Sequence, residues 1–261
     1  MTAVSNQPDT VLGTVPVLGR SEFLHMFKDE YRAGQHVTFL GPTQRGKTYV
    51  SHQMLKVVIS PQLPVVILAG KPPLRDKTMA QAAEYLNLRV IEKWPPAWHP
   101  KDRERNGYIL RPAHSMTDLD ADNENLRRQF QRALMGCYAS KTPVIVCVDE
   151  AYQVQVDLKL KKEYEAILLR GAPIVAEWSL LQRGRFSSYL AYDAPEHVLM
   201  FKDPDISNVK RYSELVGGIN PYFVAQIVNG LETRQAPNGN TISEFLYIQR
   251  NGPKLYIVKT D

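Results

Sequence analysis

His36-Val37-Thr38-Phe39-Leu40-Gly41-Pro42-Thr43-Gln44-Arg45-Gly46-Lys47-Thr48 is the stretch that decides the fold. Its second half has the spacing G-x-x-x-x-G-K-[ST] of a phosphate-binding loop. The apolar run 36–40 predicts a strand leading in, and residues 48–59 predict a helix leading out. Phosphate binding needs that order. Backbone N–H groups of the turn curl around the anion, and the helix N-terminus adds positive potential. Gly41 and Gly46 permit backbone conformations and close approach that a Cβ would obstruct. Pro42, Thr43, Gln44 and Arg45 fill the turn between them. Lys47 is expected to reach the β- and γ-phosphates, and Thr48 to offer its hydroxyl to Mg2+.

The chain has 261 residues, enough for one large α/β domain or two small ones. The element pattern favours a flexible arm over 1–20 followed by a single domain over 21–261. Hydrophobic content of 44% and charged content of 23% suit a globular protein. Thirty-two Lys and Arg against 27 Asp and Glu give +5, which permits a nucleic-acid partner without demanding one. No apolar stretch is long enough for a transmembrane segment, and the N-terminus lacks a signal-peptide pattern. Cys137 and Cys147 make no disulfide framework, and Cys147 falls in a core strand. A reducing, cytoplasmic setting is expected.

Residues 1–20 are rich in small and polar side chains and carry two prolines, so they read as a mobile arm or an added strand. Ser21 is expected to cap a short helix running through Phe23, Leu24, Phe27 and Tyr31. Beyond the loop, Val65-Val66-Ile67-Leu68-Ala69 is a continuous apolar run, as in a strand buried on both faces. A helix is expected over 76–86 and a short strand over 88–91. Residues 93–114 include Trp94-Pro95-Pro96-Ala97-Trp98, and four prolines between Pro95 and Pro112 predict a surface excursion. Its two tryptophans either pack it down or form a binding surface. Leu126, Phe130, Ala133, Leu134 and Cys137 recur at helical spacing and predict a helix over 122–138. Strands are expected over 144–148, 174–181 and 197–201, with a helix over 159–170 between the first two. Such alternation predicts a central, mostly parallel sheet flanked by helices, with its core over 35–205. Phe245 to Ile248, Asn251-Gly252 and Leu255 to Val258 predict a C-terminal β-hairpin over 244–259 that extends or covers a sheet edge.

The run 144–148 ends in Asp149-Glu150, the Walker B pattern. Asp149 is expected to hold Mg2+ directly or through water, and Glu150 to act as general base on the attacking water. Between the loop and Asp149 the chain has room for a further strand, which residues 65–69 supply. The adjacent acids and that strand resemble the additional-strand, catalytic-glutamate division of P-loop NTPases. An Asn-Lys-x-Asp base reader of GTPases is absent from the sequence, which favours ATP. Gln182 ends the strand Glu177-Trp178-Ser179-Leu180-Leu181. In that division a polar residue at this tip meets the γ-phosphate or the water, and a glutamine can both donate and accept. An ordinary strand-end glutamine is the other reading.

Leu168-Leu169-Arg170-Gly171, the strand ending Gln182-Arg183, and His197-Val198-Leu199-Met200-Phe201 together resemble the FtsK/HerA superfamily over roughly residues 35–205. The resemblance implies an oligomeric, usually hexameric, ring that hydrolyses ATP between subunits and pumps double-stranded DNA. In size the chain resembles the compact viral genome-packaging ATPases, which implies a portal or vertex protein as docking partner. Arg170 lies where the family often places an arginine that reaches a neighbour's γ-phosphate, with Arg183 and Arg185 as alternatives. Lys159, Lys161 and Lys162 follow the acid pair where ring motors place DNA-facing loops, or they form a solvated helix face. Ala69-Gly70-Lys71 departs from the family by lacking an acid at that strand end. The resemblance thus implies a DNA-translocating ATPase. Another P-loop ATPase, such as a helicase loader or kinase, and a nucleotide-switched binding module are the alternatives. The histidines show no close-spaced metal pair, neither cysteine has a C-x-x-C partner, and Ser179 and Ser187 lack a nucleophile elbow.

Overall fold

Period-two alternation inside the apolar runs divides the core between two faces of one sheet. Val37, Phe39, Val65, Ile67, Ile145 and Cys147 point to one side. Leu40, Val66, Leu68, Val144, Val146 and Val148 point to the other. A strand apolar on both faces can only be interior to a sheet covered twice. The computed structural model describes residues 15–72, 78–182, 188–205, 220–235, 241–251 and 254–261.

The first half of the chain forms β1 (Val17–Gly19), α1 (Arg20–Glu30), β2 (Val37–Leu40), α2 (Lys47–Val58), β3 (Val65–Leu68), α3 (Thr78–Tyr85), β4 (Arg89–Ile91) and β5 (Gly107–Leu110). Next come α4 (Leu119–Tyr138), β6 (Val144–Val148), α5 (Lys161–Arg170), β7 (Val175–Leu181), α6 (Leu190–Asp193) and β8 (His197–Phe201). The chain closes with α7 (Pro221–Gly230), β9 (Thr233–Gln235), β10 (Thr241–Ser243), β11 (Phe245–Gln249) and β12 (Lys254–Lys259). Among the described residues, ten strands form a sheet in the order β1-β12-β11-β8-β2-β7-β6-β3-β5-β4, in which β11 alone runs against the rest. β9 and β10 form a separate antiparallel ribbon.

Helices α1, α2 and α3 cover one face through Phe23, Phe27, Val50, Met54 and Met79. Helices α4, α5 and α7 cover the other through Leu126, Phe130, Tyr164, Ile167 and Ile227. Each such side chain taken fully from water is worth about 1.5–3 kcal/mol.

Several expectations change. The strand lying between the loop strand and the Asp149 strand is β7, not β3, which pairs on the far side of β6. Crossover pairing, not chain order, decides which strand is inserted. Residues 17–19 add a strand parallel to β12, so for this end of the 1–20 stretch the added-strand alternative is the one seen. α1 starts at Arg20 with Gly19 as its N-cap, and Ser21, inside the helix, bonds Asp261 instead. The 93–114 excursion contains β5, which pairs with both β3 and β4. Trp94 packs against Tyr108 and the core, whereas Trp98 is 74% exposed. The hairpin forms as expected and extends the sheet beyond β8. Arg183, Arg185, Ser187, Asp76 and Gly252 lie outside the described residues.

Candidate nucleotide site

The carboxyl ends of β2, β7 and β6 lie side by side. Leu40 is level with Leu181, the N–H of Gly41 donates to the carbonyl of Leu181 at 3.1 Å, and Val148 is level with Ser179. That register brings Gly41, Gln182 and Asp149-Glu150 to one rim. A mostly parallel sheet binds ligands at this rim, outside the carboxyl ends of its strands.

Loop conformation follows from residue type. Gly46 has φ +73° and caps α2, a left-handed conformation that a Cβ strains. A Cβ there would also lie 3.0 Å from the carbonyl of Thr241 on β10. Gly41 packs so close to β8 that a Cβ would meet Phe201 Cβ at 2.8 Å. Pro42, Thr43, Gln44 and Arg45 bridge them, and Gln44 is also left-handed at φ 58°.

Lys47 opens α2, and its side chain folds back over the loop. Nζ donates to the carbonyls of Gly41 and Pro42, each at 2.6 Å. Burial lowers its pKa to about 8, an effect opposed by the nearby charges of Glu150 and Asp149. The Thr48 hydroxyl donates to Asp149 Oδ1 at 3.1 Å, so the two expected ion ligands are in contact. Asp149 is held further by its own N–H to the carbonyl of Leu68. Glu150 stands beside it, and burial raises its pKa to about 7, with Lys71 pulling the other way. Gln182 Nε2 donates to Glu150 Oε2. The strand-tip glutamine therefore faces the acid pair.

A cavity of about 740 Å³ joins these groups. Thr43, Gln44, Arg45, Gly46, Lys47 and Thr48 line it, together with Asp149 and Gln182. Tyr49, Gln53, Tyr85 and Thr241 line it as well. The second group was not read from the sequence. Tyr49 and Gln53, one helical turn apart after Lys47-Thr48, gave a signal that could have found them. Thr241 gave none, because it arrives from a distant ribbon.

Lys71 was also missed as a site residue. It follows β3 as Asp149 follows β6, and its Nζ lies 3.4 Å from Asp149 Oδ2. Arg170 is not brought to this site. It ends α5 on the stretch leading to the start of β7, at the rim opposite the phosphate loop, and is exposed. Lys159, Lys161 and Lys162 are exposed, and Lys161 pairs with Glu165 at 3.7 Å.

A hydroxyl and a carboxylate, both oxygen donors, meet at Thr48 and Asp149, with the Lys71 ammonium on the other carboxylate oxygen. This set fits a hard divalent cation such as Mg2+, which is commonly held by one or two protein oxygens plus substrate phosphates.

No protein-family model and no curated protein sequence matches the chain. Solved structures do match. The DNA-packaging ATPase B204 from Sulfolobus Turreted Icosahedral Virus aligns over 88% of this chain and 100% of its own, with TM-score 0.50 and 13% identity. The genome-packaging NTPase B204 from Sulfolobus turreted icosahedral virus 2, in complex with AMPPCP, aligns over 87% of this chain and 98% of its own, with TM-score 0.50 and 16% identity. Among the described residues no helix is long and apolar enough to cross a membrane. Strand order, phosphate loop and whole-chain similarity together show that this chain has the P-loop NTPase fold, in the form shared with these packaging ATPases.

Proposed function

We propose that the chain hydrolyses ATP and uses the energy to move double-stranded DNA, as a viral genome-packaging motor of the FtsK/HerA kind. The observation that carries this reading is the meeting of Lys47, Thr48, Asp149 and Gln182 on one cavity, with Glu150 hydrogen-bonded to Gln182. Loop N–H groups and Lys47 bind the phosphates, Lys47 exchanging the carbonyls of Gly41 and Pro42 for phosphate oxygens. Thr48 and Asp149 would hold Mg2+, which would supply charge neutralisation to the phosphates. Gln182 orients Glu150 and the attacking water. Glu150 takes that water's proton as its oxygen bonds to the γ-phosphorus, and the electron pair of the broken P–O bond leaves with ADP. A partly buried carboxylate is a stronger base than an exposed one, which suits it to that role.

The DNA assignment draws on the fold shared with packaging ATPases, on the excess of basic residues and on the exposed lysines after the acid pair. In this reading the chain works as a homo-oligomeric ring, a hexamer, docked on a portal or vertex protein in the cytoplasm. Arg170, remote from its own site, reaches the site of the next subunit.

The test is steady-state ATP hydrolysis with and without long double-stranded DNA, at low and moderate salt. Stimulation that fades with salt, with turnover lost in Glu150→Gln while ATP still binds, supports the motor. Turnover indifferent to DNA defeats the translocase reading, and no turnover at all defeats the hydrolase.

A further inference from the structure

Lys71 stands where the sequence shows a departure from the family pattern, and the structure gives it a place. Its Nζ pairs with Asp149 Oδ2 at 3.4 Å, while Thr48 holds Oδ1 of the same carboxylate. The Asp149 side chain is 5% exposed and that of Lys71 49%, so the lysine enters the site from the solvent side. Its backbone is fixed. The carbonyl of Lys71 accepts from Arg111 Nε at 3.3 Å, and the carbonyl of Gly70 accepts from His114 Nε2 at 3.2 Å. Gly70 lets the π-helical turn Gln153–Asp157, which follows the acid pair, approach closely. A Cβ at Gly70 would lie 2.2 Å from Gln153 Oε1. Lys71 also lines the same cavity as Lys47, and its charge acts on both Lys47 and Glu150.

This geometry has a direction. A triphosphate laid along the loop from the N-terminus of α2 towards β6 presents its last phosphate to Glu150. Lys71 comes from beyond β6, past the acids, so it meets that end of the nucleotide and not the diphosphate. We propose that Lys71 is a second phosphate-binding cation, supplied within the same chain, that exchanges Asp149 for the terminal phosphate of the bound triphosphate. It is a specificity determinant, distinguishing ATP from ADP. The inference rests on the nucleotide-site reading above.

Binding of AMPPCP and of ADP, each with Mg2+, to the full chain by calorimetry tests it. Lys71→Met is expected to weaken AMPPCP roughly tenfold or more, the scale of one lost charge-assisted hydrogen bond, and to leave ADP within about twofold. Lys71→Arg is expected to keep most of the preference. Retained ADP binding shows that the variant is folded. Equal weakening of both nucleotides would overturn the inference and leave Lys71 a simple counter-ion of Asp149. So would unchanged binding of both. If the unsubstituted chain binds neither nucleotide, the site reading itself fails, and this inference with it.

Discussion

Glu177 offers a sharp test of how the sheet interior is held. It sits on β7, between the strand that feeds the phosphate loop and the strand that carries Asp149, and is 1% exposed. Ser179 Oγ donates to its Oε1, and the Tyr164 hydroxyl lies 2.6 Å from Ser179 Oγ. Oε2 is buried without a hydrogen-bond partner. Burial therefore favours the neutral acid and raises the pKa from 4.5 to about 8. The native state keeps a proton that the unfolded chain has released. This contribution to stability is full below the unfolded pKa and is lost as pH rises towards the folded one. Glu177→Gln removes the titration while keeping nearly the same shape. Between about pH 5.5 and about pH 7.5, both inside that window, linkage at about 1.4 kcal/mol per unit predicts a relative gain of about 3 kcal/mol for the variant. At the lower pH it is expected to match or fall slightly below the parent, because its amide nitrogen inherits the unpartnered place. His36, whose Nδ1 accepts from the N–H of Glu177, is buried with a pKa lowered to about 4. It titrates in both proteins and cancels in the difference. Urea unfolding of the two proteins at the two pH values is the assay. A stability difference independent of pH would refute the reasoning and show that Glu177 is ionised in the native state.

Three other outcomes follow from the site. Gly46→Ala, forced into a left-handed φ and against the Thr241 carbonyl, should cost about 1–2 kcal/mol in thermal stability and weaken nucleotide binding, read by titration. Gln182→Ala removes the donor to Glu150 and should lower turnover roughly a hundredfold with binding little changed; unchanged turnover would make it an ordinary strand-end residue. Arg20, buried, donates to the Ser243 carbonyl at 2.6 Å and to Gln53 Oε1 at 2.9 Å. Arg20→Leu strands both acceptors and should lower the urea midpoint by the equivalent of about 2–3 kcal/mol.

What could be read in the sequence was local. Residues 144–148 and 198–201 announced buried strands by unbroken apolar character, and α4 announced itself through Leu126, Phe130, Ala133 and Cys137. The loop and acid pair are short motifs whose chemistry is written in consecutive residues. What could not be read was adjacency. Nothing local says that β7 rather than β3 separates β2 from β6, since strand pairing is a long-range choice. Lys71 escaped for the same reason: its role exists only because β3 and β6 are neighbours. β5 was hidden by brevity and by surrounding prolines, and β3 and β4 on either side make it a strand. α7 did carry a signal, Asn220 capping a helix with Pro221 in its first turn, that was open to reading.

The position of β7 has a mechanical consequence. On one side it is hydrogen-bonded to the strand that ends in the phosphate loop, and on the other to the strand that ends in the two acids. Gln182 is the tip of that wedge. Any pull on the chain just beyond Gln182 loads both neighbouring ladders at once, so the phosphate loop and the acid pair cannot shift independently. Strain reaching the site from outside would act on it as a single clamp, and in the proposed motor the slack for a working stroke would have to lie in the loops beyond the strand tips.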